Sequence, residues 1–317
     1  MKLNDLRPLE KETFKGTYRL TGRVACFDDD GIPYLKLRLS SCSSDLVVIA
    51  VIDSIVIPER LGHMDLIAVK GQVCVGSEEG EILLTEIRRP MRTDIARLPA
   101  LQTLPRTVCP KPEALDQLID AVRVLKSSHL QVFIKRVLER RDRLEVFLRA
   151  PASKSYHHNE PGGLLVHSLD VAKNVLQMIQ ANEPDMPREL QELGFVAGLL
   201  HDIGKTYTYD KRGKPTAAAR LFDHADLTLE ACAYGLAYLD TVQPDAAMAL
   251  RHIWTCASPG ARYGTKPAIT LARYVRDADA HSAMADNQRR AYRKRVPVGF
   301  GRLGHNLYWM PFTEVHR

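Results

Sequence analysis

The stretch GFVAGLLHDIGKTYTYD, residues 194–210, places polar side chains at the end of an apolar helical run. Residues Phe195 to Leu200 predict the buried face of a helix, and His201 and Asp202 follow it directly. A carboxylate at the edge of an apolar face is costly unless another group pairs with it. The fold must therefore bring partners for His201 and Asp202 from other parts of the chain.

The letters GKT in this stretch do not belong to a phosphate-binding P-loop. That loop has the pattern G-x-x-x-x-G-K-[ST] after a strand, whereas five residues separate Gly198 from Gly204 and the preceding segment is helical. Lys205 lies three residues after Asp202, which places its ammonium group near that carboxylate or near a substrate phosphate. The alternative interpretation is a lysine at a helix end in solvent.

Histidines and aspartates recur at the ends or inner faces of the other helical segments. A single histidine on a helix is more often a hydrogen-bonded structural residue than a ligand. An ordered series across five helices is far more specific. In chain order the series is His167, His201, Asp202, His224, His252 and then Asp277 or Asp279.

This series predicts a site for divalent transition metal ions. Imidazole nitrogens and carboxylate oxygens suit Mn²⁺, Fe²⁺, Co²⁺, Ni²⁺ and Zn²⁺. Six such ligands exceed the need of one ion that also binds water and substrate. They suffice for two ions roughly 3.5–4 Å apart that share a bridging aspartate, an arrangement that hydrolyses phosphodiesters.

Helical periodicity separates the two late aspartates. Asp279 lies four residues after Val275 and seven after Ala272, on the apolar stripe of AITLARYVRDADA. Asp277 shares its face with Arg273 instead. We expect Asp279 to be the metal ligand and Asp277 to be solvated or to contact the ligands from outside.

Residues 14–90 predict a small β-barrel. Five β-rich segments of strand length alternate with turn sequences such as DDDG and GSEEG. The segment DSIVIPERLGHMD between the third and fourth strands has room for one helical turn. Five short strands with an insert at this point fit an OB-fold, although another small barrel fits nearly as well.

The chain as a whole predicts an α+β, multidomain protein. We expect an OB-like, nucleic-acid-binding barrel over residues 1–90 and a proline-rich linker over residues 91–112. An all-helical domain with a basic C-terminal segment is expected over residues 113–317. Helical candidates are 112–126, 129–149, 164–181, 188–202, 224–240, 244–254 and 267–285.

The distribution of charge along the chain indicates which class of substrate the protein could bind. The first 110 residues hold 15 Lys and Arg and 15 Asp and Glu, so the net charge of +6 lies in the remainder, much of it in NQRRAYRKR at 287–295. This distribution is compatible with a polyanionic substrate.

No apolar run approaches the roughly 20 residues of a membrane span, and the N-terminus lacks the apolar segment of a signal peptide. Six scattered cysteines without a C-x-x-C predict free thiols in a reducing cytoplasm.

On these residues the chain resembles the HD-domain metal-dependent phosphohydrolase superfamily over about residues 150–285. The resemblance implies an all-helical fold there. The stretch PASKSYHHNEPGGLLVHSLDVA, the barrel ahead of it and ARYVRDADA resemble YhaM-type 3′→5′ exoribonucleases, in which an OB-fold precedes the HD domain. HHNEPGGLLVHSLDVA is also similar to the HD region of MobH-type (TraI_2) conjugative relaxases.

The resemblance implies roles for individual residues. Asp202 would bridge the ions and Lys205 would contact phosphate. His158, or its neighbour His157, would contact phosphate or act as acid towards the leaving oxygen. The sequence RHIWTCASPG around His252 lacks the further histidine of many two-metal relatives. The resemblance therefore does not decide whether the site holds one ion or two. The implied metal ligands are His167, His201, Asp202, His224, His252 and Asp279.

The function predicted from the sequence is a metal-dependent nuclease, 3′→5′ exonuclease-like, that acts on single-stranded RNA or DNA with Mn²⁺ as the preferred ion. The alternatives are a relaxase-like DNA-processing protein, an HD phosphohydrolase of nucleotides and a non-catalytic accessory protein. Neither a membrane partner nor a particular oligomeric state is indicated. The residues expected to contact nucleic acid are Arg19, Arg23, Tyr34, Lys36, Arg289, Arg290 and Arg293.

Overall fold

The chain divides into two compact units, Met1–Val108 and Cys109–Arg317, in a computed structural model. The structure describes residues 2–75, 80–91, 93–94, 100–138, 140–257, 262, 264–293 and 298–311. The division falls inside the segment that the sequence predicts as a linker, although residues 92 and 95–99 of that segment lie outside the described residues.

The first unit is a closed five-stranded barrel with the strand order β1-β2-β3-β5-β4. Neighbouring strands are antiparallel, except that β3 and β5 run parallel. A closed five-stranded barrel of this kind has the architecture of an OB-fold, so the predicted fold class is confirmed. The strands are β1 (Arg7–Phe27), β2 (Pro33–Ser40), β3 (Asp45–Val51), β4 (Leu66–Val75) and β5 (Gly80–Arg88).

The barrel closes around alternating apolar residues. On β2, Leu35, Leu37 and Leu39 are buried while Lys36 and Arg38 between them are exposed, as expected for a strand with one buried face. The core also contains Val48, Ala50, Ile67, Val69 and Ile87. The segment between β3 and β4 forms turns over residues 52–65 and not the helical turn that the sequence allows.

The second unit is helical up to residue 291. Its helices are α1 (Pro112–Val124), α2 (Ser128–Leu138), α3 (Arg141–Arg149), α4 (Gly163–Asn182), α5 (Arg188–Leu200), α6 (Lys205–Thr208), α7 (Ala218–Leu221), α8 (His224–Val242), α9 (Pro244–Thr255) and α10 (Thr270–Ala291).

Close packing of α4 and α5 sets the position of the candidate site. A Cβ atom placed on Gly198 of α5 would lie 3.1 Å from the Cα atom of Ala172 on α4, so the two backbones approach closely. Apolar side chains of both helices, among them Val175 and Val196, are fully buried. This contact brings His167 on α4 next to the end of α5, where His201 and Asp202 lie.

Two features of the second unit differ from the sequence prediction. Residues 129–149, predicted as one helix, form two: α2 ends at Leu138, and α3 begins at Arg141. A β-hairpin of β6 (Gly299–Leu303) and β7 (Asn306–Met310) follows α10 where helices alone were predicted. An isolated hairpin of two short strands leaves little periodic signal in a sequence.

Among the described residues, the helices are too short or too polar to cross a lipid bilayer.

Candidate metal centre

Two buried side chains, His167 and Asp202, and the partly buried His201 form the centre of the candidate site. Ligand atoms of His167, His201 and Asp202 all lie within 4.8 Å of one another. His167 comes from the first turns of α4, and His201 and Asp202 come from the turn in which α5 ends. The apolar run of α5 therefore ends where the core meets a cluster of imidazole and carboxylate groups.

The histidine Nε2 atoms of this cluster point at carboxylates. His167 Nε2 lies 3.5 Å from Asp202 Oδ2 and 3.1 Å from Asp279 Oδ1. His201 Nε2 lies 3.4 Å and 3.7 Å from the same two oxygens. Both Nε2 atoms are buried and have no hydrogen-bond partner in the described part of the chain. Buried nitrogens without a partner are expensive, and a cation between them and the carboxylates satisfies them.

The two late aspartates of α10 have different surroundings. Asp279 joins the cluster through its contacts with His167 and His201. Asp277 faces away and accepts a hydrogen bond from Arg273 Nε at 2.7 Å. The aspartate that joins the cluster is therefore Asp279, which helical periodicity places on the inner face of α10.

Asp202 is the most heavily contacted member of the cluster. Its Oδ2 atom accepts a hydrogen bond from Lys205 Nζ at 2.6 Å, and its Oδ1 atom lies 3.1 Å from His224 Nε2 at the start of α8. Lys205 Nζ also donates to the carbonyl oxygen of Ala152 at 2.7 Å. Lys205 is therefore part of the site and not a lysine in solvent.

Hydrogen bonds on the far side of two imidazoles orient their Nε2 atoms towards the cluster. His167 Nδ1 lies 3.1 Å from Ser282 Oγ, and His201 Nδ1 lies 2.7 Å from the carbonyl oxygen of Gly198. A ring that donates its Nδ1 proton presents the lone pair of Nε2, and such contacts are typical of metal-binding histidines. The residues present therefore fit a divalent cation.

The electrostatics of the site also favour a cation. Burial raises the pKa of the Asp202 carboxyl, but Lys205 and His201 outweigh burial and hold that pKa well below its ordinary value. Burial lowers the pKa of His201, but the charges of Asp202 and Asp279 raise it to about 10. The ionised carboxylates of Asp202 and Asp279 thus stabilise a proton on the His201 ring. A metal ion that binds this ring displaces the proton.

One predicted ligand does not join the cluster. His252, on α9, accepts a hydrogen bond at Nε2 from the backbone N–H of Ala268 at 2.8 Å. This contact occupies one of the two ring nitrogens of His252. Among the described residues the structure therefore brings together His167, His201, Asp202, His224 and Asp279, with Lys205 beside them.

The structure places His158 behind the ring of His167. The sequence assigns it to catalysis, but its side chain is 1% exposed and its Nε2 atom lies 3.5 Å from Ser282 Oγ. Ser282 contacts the Nδ1 side of His167, so His158 lies behind this ring and not on the face that carries the carboxylates. Its neighbour His157 is half-buried, with its ring centre 5.1 Å from that of His167.

The residues predicted to contact nucleic acid have mixed surroundings in the barrel. Tyr34 is 6% exposed and packs with Leu3 and Ile49, so it is a core residue on which no base can stack. Arg19 is half-buried and donates to the carbonyl oxygen of Met64. Arg23 and Lys36 are exposed.

The predicted contacts of the helical unit lie at the end of α10. Arg289 is exposed and pairs with Asp286 at 3.1 Å, Arg290 is half-buried and Arg293 is exposed. The rest of the predicted basic segment, Lys294 and Arg295, lies outside the described residues.

Sequence reasoning missed Ser282 and Asp286. Ser282 contacts both His167 and His158, and Asp286 accepts a hydrogen bond from the backbone N–H of His158 at 2.7 Å. Both follow Asp279 on α10, at spacings of three and seven residues on the same face. This spacing was the available signal.

Comparison with known proteins agrees with this geometry. Residues 164–284 match the HD domain family, and residues 108–211 match the TraI_2 family, which is described as "Putative helicase". All five members of the cluster lie inside the first match. The resemblances to the HD superfamily and to the TraI_2 family are thereby confirmed.

A curated relative shares part of the chain. Over 79 residues the sequence is 39% identical to the dihydroneopterin 2',3'-cyclic phosphate phosphodiesterase of Methanocaldococcus jannaschii. The aligned region covers 25% of this chain and 30% of that protein. The chain therefore spans less than a third of the length of the curated relative that it matches.

Proposed function

Because the helical unit of this protein carries an HD domain, we propose that the protein is a metal-dependent phosphodiesterase that cleaves single-stranded nucleic acid. The observation that carries the proposal is the pair of buried Nε2 atoms of His167 and His201, which face Asp202 and Asp279. Imidazole nitrogens without partners beside ionised carboxylates have the chemistry of a divalent metal centre.

Five residues would hold the metal: His167, His201, Asp202, His224 and Asp279. A divalent cation supplies positive charge to phosphate oxygens and lowers the pKa of a bound water. Mn²⁺ is the ion that we propose, since nitrogen and carboxylate ligands are mixed in this site.

Lys205 and His157 contribute groups of the chain itself. The Lys205 ammonium has three N–H donors, of which Asp202 and Ala152 use two, so one remains for a phosphate oxygen. Burial, together with the neighbouring His167 and Lys205, lowers the pKa of His157 to about 4. His157 is therefore neutral at pH 7 and can donate a hydrogen bond to a phosphate without adding charge.

The barrel supports the choice of single-stranded nucleic acid as substrate. OB-type barrels bind single strands through a basic groove and stacked bases. Arg23, Lys36 and Arg38 are exposed on adjacent strands β1 and β2. We propose a 3′→5′ direction of cleavage on the resemblance to barrel-plus-HD exoribonucleases, and a cytoplasmic location because the six cysteines are free thiols.

The curated relative favours a second candidate, the hydrolysis of a small phosphodiester. That protein is named as a cyclic phosphate phosphodiesterase. A metal centre of this kind can act on a small phosphodiester as well as on a nucleic-acid strand. The TraI_2 match favours a third candidate, the processing of DNA.

End-labelled single-stranded RNA and DNA, incubated with the full-length protein and Mn²⁺, test the proposal. We expect products that shorten stepwise from the 3′ end and no cleavage in EDTA. Asp279→Asn should abolish cleavage, whereas the matched change Asp277→Asn on the same helix should leave it unchanged. One discrete DNA product would favour the relaxase-like alternative, and turnover of cyclic nucleotides alone would favour the small phosphodiester.

A further inference from the structure

The hairpin after α10 presents an exposed aromatic pair. Phe300 on β6 and Trp309 on β7 are directly opposite in the antiparallel register. Side chains directly opposite each other on one face of such a pair lie in contact distance. Phe300 is 68% exposed and Trp309 is 58% exposed, so this pair forms an aromatic surface and not a core.

Positive charge accompanies the aromatic pair. Arg302 lies two residues after Phe300 and is exposed, so it shares the outer face of the hairpin. Residues 298–311 contain no aspartate or glutamate. Near the end of α10, Arg289 is paired with Asp286 and Arg290 is half-buried, whereas Arg293 after the helix is exposed. The outer face therefore carries the aromatic pair, Arg302 and, opposite Arg302, the exposed Leu307.

The hairpin is fixed to the end of α10. The Tyr292 hydroxyl lies 2.6 Å from the carbonyl oxygen of Gly299 and 2.8 Å from that of Tyr308. Gly301 lies so close to the Tyr292 ring that a Cβ atom there would be 2.9 Å from Cε1. The two strands thus have a firm support on their inner face, which leaves the outer face for a ligand.

The turn of the hairpin lies beside Tyr156, in the loop that precedes α4. Gly304, at a φ of +59°, forms this turn, and a Cβ atom on it would lie 3.7 Å from Tyr156 Cε1. Tyr156 directly precedes His157, whose ring lies beside His167. A ligand on the hairpin is therefore close to the loop that borders the cluster.

We infer that the outer face of β6 and β7 is a binding platform for single-stranded nucleic acid, on which bases stack against Phe300 and Trp309 and phosphates pair with Arg302. The inference rests on the proposed function for its substrate class and assigns it a site in the helical unit. Base stacking on aromatics combined with basic side chains is the usual mode of sequence-tolerant strand binding. A second protein chain is the competing occupant, but an aromatic face with an arginine and without carboxylates favours a polyanion.

Trp309 provides a direct probe of this platform. The chain has two tryptophans, and Trp254 is in α9 with its Nε1 donating to the carbonyl oxygen of Ala197. The variant Trp254→Phe makes Trp309 the sole tryptophan. Titration of this full-length variant with a 20-nucleotide oligo-dT or oligo-U in EDTA, which keeps the strand intact, should quench its fluorescence.

Substitutions then measure the share of each side chain. Phe300→Ala and Trp309→Ala should each weaken strand binding at least about fivefold, the effect of losing one stacked base. Arg302→Gln should weaken binding and lower the slope of log K against log salt by about one. Tyr234→Ala, which removes an exposed aromatic of α8, is the matched control and should leave binding unchanged.

Hydrolysis of bis-p-nitrophenyl phosphate with Mn²⁺ separates this inference from the proposed function. The hairpin variants should retain that activity while they lose strand affinity. If they bind oligonucleotides like the unmodified protein, the platform is wrong even where hydrolysis persists. If they change the sedimentation of the protein and leave strand binding intact, the face is a protein interface and the inference is overturned.

Discussion

His167 Nδ1 lies 3.1 Å from Ser282 Oγ, and Ser282 Oγ in turn lies 3.5 Å from His158 Nε2. All three side chains are buried. The serine hydroxyl thus lies between the two rings. When it accepts the Nδ1 proton of His167, it favours the tautomer that presents the Nε2 lone pair to the carboxylates.

Ser282→Ala should weaken metal binding about 10- to 100-fold, since loss of a group that orients a metal-binding histidine has an effect of this size. Competition with a chromophoric chelator measures the affinity independently of catalysis. Ser168→Ala is the control, because Ser168 is a buried serine next to His167 whose hydroxyl has no partner among the described residues. Equal affinities of the two variants would contradict the role of Ser282.

His157→Ala and His158→Ala should have different effects. His157 is half-buried beside His167, so its loss should lower kcat with little change in metal affinity. The His158 side chain is fully buried and its Nε2 atom lies 3.5 Å from Ser282 Oγ, so its loss should lower the free energy of unfolding, by about 1–3 kcal/mol for a buried polar network. Steady-state kinetics and urea unfolding measure the two effects, and a reversed pattern would restore His158 as the catalytic residue.

Gly204→Ala should destabilise the helical unit. A Cβ atom on Gly204 would lie 2.0 Å from the carbonyl oxygen of His224 and 2.8 Å from the backbone nitrogen of Thr228, so the start of α8 must move. We expect a loss of about 1–3 kcal/mol and weaker metal binding through His224. Circular dichroism at 222 nm follows the unfolding. Gly62→Ala, where a Cβ atom has only ordinary contacts, should not shift the transition.

Glu192→Gln should show a pH-dependent loss of stability. Burial raises the pKa of Glu192, but hydrogen bonds from the backbone of Lys126 and Ser127 and from Arg188 lower it below its ordinary value. A lowered pKa in the folded state adds stability that is present above the unfolded pKa of about 4.3 and is lost as the pH falls through the folded pKa.

The cost of Glu192→Gln should therefore be about 1–3 kcal/mol at pH 7 and should shrink below about pH 4. Urea unfolding from pH 3 to pH 7 tests this dependence. Glu189→Gln, an exposed position on the same helix, serves as the control. A cost that does not vary with pH would mean that Glu192 acts through packing alone.

The sequence predicted those parts of the fold that depend on local periodicity. The β-rich segments separated by turn sequences predicted the five strands of the barrel, and the helical period of α10 placed Asp279 on the inner side. Tyr34 was misassigned because the residue that covers it, Leu3, lies far away in the sequence. A period reveals which residues share a face but not what packs on that face.

The sequence predicted those site residues whose side chains are typical metal ligands, and it did not predict the residues that support them. Histidine and aspartate in an ordered series indicated metal binding, whereas Ser282 is an ordinary serine until the fold places it behind His167. The hydrogen bond from Ala268 to His252 is equally invisible in the sequence, because it depends on the path of the chain after α9. Long-range contacts of this kind arise from the tertiary fold and leave no period.

The contact between His167 on α4 and Asp279 on α10 joins segments that are distant in the chain. A cation held by both residues acts as a removable cross-link across α5, α8 and α9. Opening so long a loop frees much chain entropy, and a ligand that binds only the folded state opposes this opening. The lifetime of the protein against proteases should therefore follow the supply of metal in the cell, so that metal scarcity shortens the persistence of the enzyme as well as its turnover.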